Sequence, residues 1–162
     1  FMAVHKLILD DVFDEVLYTL IALHCSVEDY RLAYLLNKYL GITLTRKPSD
    51  LDYNKGKSTY SIFEWKDDKQ LTTWSLVSNV CKTESYQQIN YESLFNNHEK
   101  ITKTTNLIPE HKRVNFFLKI DNQLNFSKEK YILNSILKIP QIATAYSIDA
   151  NQLKSKDNLI FS

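Results

Sequence analysis

The sequence predicts an α+β fold, in which two β-α-β units and a β-hairpin build a mostly antiparallel sheet with helices on one face. Three observations lead there. Apolar residues recur at helical spacing around residues 32–40 and again around 133–137. Runs rich in β-branched and aromatic residues flank both of those stretches. A four-residue polar turn, Asp67-Asp68-Lys69-Gln70, separates two more such runs in the manner of a hairpin. With 162 residues the chain suits one domain, which buries roughly 70% of its unfolded surface.

Val4 to Leu9 reads as a short strand, followed by an acidic turn, Asp10-Asp11 with Asp14-Glu15. That turn lacks the ligand spacing and the glycine of a calcium loop, so a solvated turn is expected. Val16 to Cys25 suits a central strand. Ser26 has the chemistry of a helix N-cap, with Asp29 three residues on in capping-box position. Leu32, Leu35, Leu36, Tyr39 and Leu40 then form the apolar stripe, and Gly41 supplies the stop. Ile42 to Arg46 alternates and closes the first β-α-β unit.

Lys47 to Lys57, with Pro48 and Gly56, reads as a polar loop. Ser58–Lys66 and Leu71–Cys81 are the arms of the hairpin. A turn at 67–70 places Phe63 opposite Trp74 with Trp65 diagonal to it, so three aromatics share a face. Core packing under a helix is expected there, with a base-stacking platform as the alternative. Lys82 to Thr105 is rich in Asn, Gln, Ser and Thr and is expected to be a long connection over part of the sheet. A helical turn or two is expected within it around Tyr91, Leu94 and Phe95.

Ile108 before Pro109 is pushed toward extended geometry, and Val114 to Ile120 is nearly all apolar, as a strand buried on both sides requires. Ser127 suits an N-cap with Phe126 stapled on Tyr131. Leu133, Ile136 and Leu137 line the second helix, which must stop before Pro140. Ile142 to Ile148 closes the second unit, and the apolar tail Leu159-Ile160-Phe161 docks on the body. The two units together follow the split β-α-β plan of ferredoxin-like folds, with right-handed crossovers placing both helices on one face.

Composition removes several functions. A net charge of +1 argues against a large unselective nucleic-acid surface. Residues 1–98 carry 10 basic and 13 acidic side chains and residues 99–162 carry 10 and 6, so any basic face belongs to the C-terminal part. No apolar run is long enough to cross a membrane as a helix. The N-terminus lacks a signal-peptide plan, and two cysteines without paired spacing suit a reducing compartment, so the cytoplasm is expected.

Only Gly41 and Gly56 are present, too few for a glycine-rich phosphate loop. His5, His24, His98 and His111 form no close-spaced metal pair, and no metal or cofactor is expected. Cys25, just before the first helix, is the candidate reactive thiol, because a helix N-terminus can depress a thiol pKa. Burial as a small apolar residue is the expected alternative for it.

Leu107-Ile108-Pro109-Glu110 followed by Val114 and Phe117-Leu118-Lys119-Ile120 resembles the IPExxxVDY family of small bacterial proteins. Asp29-Tyr30-Arg31-Leu32 with Asn37-Lys38, and the tail from Lys154 to Phe161, resemble it too, so the likeness runs over most of the chain. The resemblance implies no particular activity. The family's Asp-Tyr stands here as Asn115-Phe116, which has neither the carboxylate nor the hydroxyl. Two groups lost from an active site would leave an inactive member, whereas strand geometry and packing survive the change.

The reading is therefore a non-catalytic interaction protein whose partner is another protein. RNA bound through the sheet aromatics and the basic C-terminal half is the alternative, and a thiol enzyme or redox sensor at Cys25 is the third reading. The candidate binding residues are Glu110, His111, Lys112 and Arg113 on the charged crest, with Arg31 on the first helix. For Glu110 the simplest expectation is a surface ion pair with its basic neighbours.

Overall fold

The structure is a computed structural model and describes residues 17–53, 55–88 and 98–161. The Val4–Leu9 strand, the acidic turn at 10–15 and the helical turn around Tyr91, Leu94 and Phe95 lie outside those residues. Six strands form the main sheet: β1 (Thr19–Cys25), β2 (Thr45–Arg46), β5 (Ile62–Asp67), β6 (Thr72–Ser78), β9 (Phe116–Ile120) and β10 (Ile142–Ile148). Their order is β10-β1-β9-β6-β5-β2, every neighbour antiparallel. Helix α1 (Asp29–Leu40) follows β1, and α2 (Phe126–Leu137) joins β9 to β10.

Both helices cover one face. Leu32, Leu36, Ile132 and Ile136 pack there on Ile21, Leu23, Leu76, Leu118 and Ile120, all buried. The expected helix-on-one-face layout holds. The inner order β10-β1-β9-β6 is that of the split β-α-β plan, but β6 occupies the place assigned to the strand after the first helix. That strand, β2, shrinks to two residues at the far edge. The Asn37 side chain explains this: it accepts the Leu44 N–H at 2.8 Å and donates to the Leu44 carbonyl at 3.1 Å, leaving that residue nothing to pair with a strand.

Both cap assignments shift. Glu28, not Ser26, is the α1 N-cap, and the Asp29 carboxylate accepts the Tyr30 N–H and Arg46 instead of reaching back. Asn125, not Ser127, caps α2, accepting the Lys128 N–H at 2.9 Å. Phe126 and Tyr131 are then exposed and form no buried staple, and Leu137 also faces outward while Ile132 and Ile136 turn in. Gly41 ends α1 as expected, at φ +66° with its N–H on the Asn37 carbonyl.

In the hairpin, Trp65 rather than Phe63 pairs with Trp74, and Phe63 pairs with Leu76. Asp67 stays in the strand because its carboxylate accepts the Lys69 and Gln70 N–H groups, so the turn moves to residues 68–71 with Leu71 at φ +53°. The arms are shorter than expected. β4 (Ser58–Tyr60) leaves the sheet at Ser61 to pair with β3 (Leu51–Tyr53), inside the stretch read as loop. Beyond Asn79 the other arm becomes β7 (Val80–Gln88), paired over nine residues with β8 (His98–Asn106). The connection expected at 82–105 is thus a β-ribbon on either side of residues 89–97. Alternating polar residues allow it, since both faces are exposed along residues 82–85 and 100–104.

Candidate functional site

Among the described residues no α-helix covers the second face of the sheet. Leu20, Ala22, Val77 and Phe117 are buried there with Leu107, Ile108, Leu153 and Leu159, which belong to loops and a short 3-10 turn. Backbone groups in such chain need partners of their own, and buried side chains supply them. Asn79, fully buried, donates from Nδ2 to the carbonyls of His111 and Val114, both at 2.8 Å, and accepts the Ile108 N–H at 2.8 Å. Pro109 opens a short 3-10 turn, Pro109–His111, where its missing N–H costs nothing.

The tail is tied to that turn. Glu110 accepts the Ser155 N–H at 3.0 Å and hydroxyl at 2.6 Å, and Asn158 donates to the Leu107 carbonyl at 2.8 Å. Partial burial alone would raise the Glu110 pKa, but the Ser155 donors outweigh it and hold the carboxyl below its ordinary value. The expected ion pair with its basic neighbours is therefore replaced by a latch on the tail. Leu159 is buried and Phe161 half-buried, as a docked tail requires, while Ile160 is exposed. The Lys119 ammonium donates to the Leu159 carbonyl at 2.8 Å between the rings of Tyr18 and Phe161. Burial, then the charges of Asp121 and Asp157, push the Tyr18 hydroxyl up to about 12.

Asn115 accepts the Cys25 N–H on Oδ1 at 3.0 Å, and its own N–H donates to the Leu23 carbonyl. Phe116 is buried on the helix face. Both positions hold the end of β1 against β9, and an Asp at 115 would offer the same acceptor. Ile108, Pro109 and Glu110 thus build the turn and its link to the tail, whereas Asn115 and Phe116 fasten the strand that follows it.

What the turn presents is a cleft of about 400 Å³, walled by Pro109 to Val114 on one side and by His24 and Tyr146 on the other. His24 Nε2 and the Tyr146 hydroxyl are 2.9 Å apart and their rings 5.5 Å apart. Sequence spacing hides this grouping, since His24 and His111 meet only across the fold. Elsewhere Arg46, Lys47, Lys100 and Lys119 each have a carboxylate partner. Lys112 and Arg113 have none among the described residues, and the one carboxylate in the cleft, Glu110, is turned to the tail. The cleft gathers two imidazoles, a phenol, an ammonium and a guanidinium, which are hydrogen-bond donors suited to an anionic group.

The other candidates lie apart from it. Arg31 is exposed on α1 and does not line the cleft. Cys25 is buried at the end of β1, and burial pushes its thiol up despite a hydrogen bond at the Val27 backbone. Both facts oppose a reactive thiolate. Phe63 and Trp74 are 6% and 7% exposed under the helices, so these rings offer no stacking surface. Among the described residues no group of three His, Cys, Asp or Glu side chains is placed to hold a metal, and no helix is long and apolar enough to cross a membrane. No family model, no curated protein and no solved structure matches this chain.

Proposed function

We propose that this is a non-catalytic interaction protein of the IPExxxVDY type, working in the cytoplasm, that binds an acidic surface of another protein at the crest cleft. The observation that carries the reading is Lys112 and Arg113, without a carboxylate partner among the described residues, beside His24 and His111 on a turn fixed from below by Asn79. A rigid turn lowers the entropy cost of ordering those side chains against a partner. The Ile108-Pro109-Glu110 turn and the strand after it act on this reading as the mount of the cleft, a role that Asn115 and Phe116 can fill. The test is capture of partners from native lysate by wild type and by the Lys112→Glu, Arg113→Glu double variant. Both residues are exposed, so the variant should unfold in urea with the wild type. A protein recovered by the wild type and lost with the double variant is expected. Recovery of the same proteins by both, or of RNA in their place, would overturn the reading.

A further inference from the structure

Tyr146 borders two concavities. One is the basic cleft; the other is an apolar groove of about 320 Å³ between β10 and α2, walled chiefly by Phe126, Leu133, Leu137 and Ala145. Phe126 is 78% exposed and Leu137 48%, a costly display for apolar side chains on a helix that buries its other face. Between the two lies β10, an edge of the sheet among the described residues. Its sequence, Ile142-Ala143-Thr144-Ala145-Tyr146-Ser147-Ile148, contains no charge and no proline, the usual devices that stop an edge from pairing. Its pairing with β1 is regular from Thr144 to Ile148.

We propose that β10 accepts an extended strand of the partner protein, with apolar side chains turned to the α2 groove and acidic side chains turned to the crest; this rests on the crest being the partner-binding surface. Side chains of an added strand alternate between the two faces of the sheet and lie about 4.8 Å beyond β10. One set thus meets Phe126, Leu133 and Leu137, and the other meets Tyr146 and the basic groups behind it. Backbone hydrogen bonds supply affinity and the two side-chain environments supply selection. Charge chooses among occupants. A second copy pairing through β10 brings no acidic side chain to the crest. The chain's own Val4-His5-Lys6-Leu7-Ile8-Leu9 sequence, added as a strand, would turn either His5 or Lys6 to the crest and no carboxylate.

The test uses the full chain with short synthetic peptides of alternating valine and glutamate, or valine and lysine, followed by fluorescence anisotropy and amide hydrogen exchange. The glutamate peptide is expected to bind and to slow exchange along β10, and the lysine peptide to do neither. Ala143→Lys at the exposed edge, or Phe126→Ala with Leu137→Ala in the groove, should each weaken binding about tenfold or more. Equal binding of both peptides, or binding without protection of β10, would overturn the proposal. So would protection, in the free monomer, of those β10 amides that are not bonded to β1, which would mark the chain's own segment as occupant, or outer-edge protection that grows with protein concentration, which would mark a second copy. If lysate capture depends on Lys112 and Arg113 but tolerates Ala143→Lys, the strand proposal falls and the crest reading stands. If capture ignores both, both fall.

Discussion

The two faces of the sheet are covered by different physics. On one, α1 and α2 satisfy their own backbones and contribute little but apolar contact, through Leu32, Leu36, Ile132 and Ile136. On the other, the described covering chain is loop and short 3-10 turns, and its polar groups are met one at a time by Asn79, Glu110, Asn158 and Lys119. A helix cover tolerates many apolar substitutions because area decides its energy. A cover pinned by single side chains should fail at those pins, because an unmatched buried backbone group costs more than a made hydrogen bond returns.

Strand β9 lets the two faces be compared directly, since Phe117 and Leu118 are adjacent, fully buried and on opposite faces. Phe117→Ala should cost about 3–5 kcal/mol and Leu118→Ala about 2–5 in urea unfolding. Amide exchange separates them: the first should loosen the turn and tail, the second the helices. Loss of helix protection in both would mean the faces are not independent.

Asn79→Ala comes next, at about 2–3 kcal/mol, because it strands the Ile108 N–H and two carbonyls in a dry setting. Asn79→Asp keeps the acceptor but loses both donors and should also destabilise. A near-neutral Asn79→Ala would show that water serves these groups and that the pins are unimportant.

Glu110→Gln should cost less than about 1 kcal/mol at neutral pH, since the site is open to solvent. Its pH dependence carries the sharper information. The folded carboxyl sits below its ordinary value, so the latch is at full strength above the unfolded pKa and is lost as pH falls through the folded one. Exchange at the Ser155 amide should therefore quicken at acid pH in the wild type beyond its intrinsic change, and not in the variant. A tail whose protection ignores this titration would break the latch assignment.

The smallest effect is expected from Asn115→Asp, within about 0.5 kcal/mol, because only Oδ1 is used and Asp supplies it. Asn115→Leu, which removes the acceptor for the Cys25 N–H, should cost about 1–2 kcal/mol. A large loss for the Asp variant would mean that the charge, not the acceptor, matters at this position.

The helix face was legible because its signals are local. The stripe Leu32-Leu35-Leu36, the stop at Gly41 and the barrier at Pro140 all act within a turn or two of chain. The caps were misplaced for a physical reason: Asp29 and Asn125 each choose between nearby amides, and Arg46 settles the first case from 17 residues away. The hairpin was legible and its register was not, since Asp67 could close the turn or belong to it. Of the cleft, Glu110, His111, Lys112 and Arg113 stood together in the sequence. Their counterparts His24 and Tyr146, and Ser155 at the latch, carry no local signal.

The amino-acid order by itself determined the α+β class, the antiparallel sheet, both helices and the burial of Val114 to Ile120, because each follows from the spacing of apolar side chains along a short stretch. The tertiary structure alone decided which strand sits beside β9, how the second face is covered and which groups share the cleft. Those outcomes depend on pairings between residues far apart in the chain, such as His24 with Tyr146 at 122 positions, and hydrogen bonds at that range leave no period in a sequence.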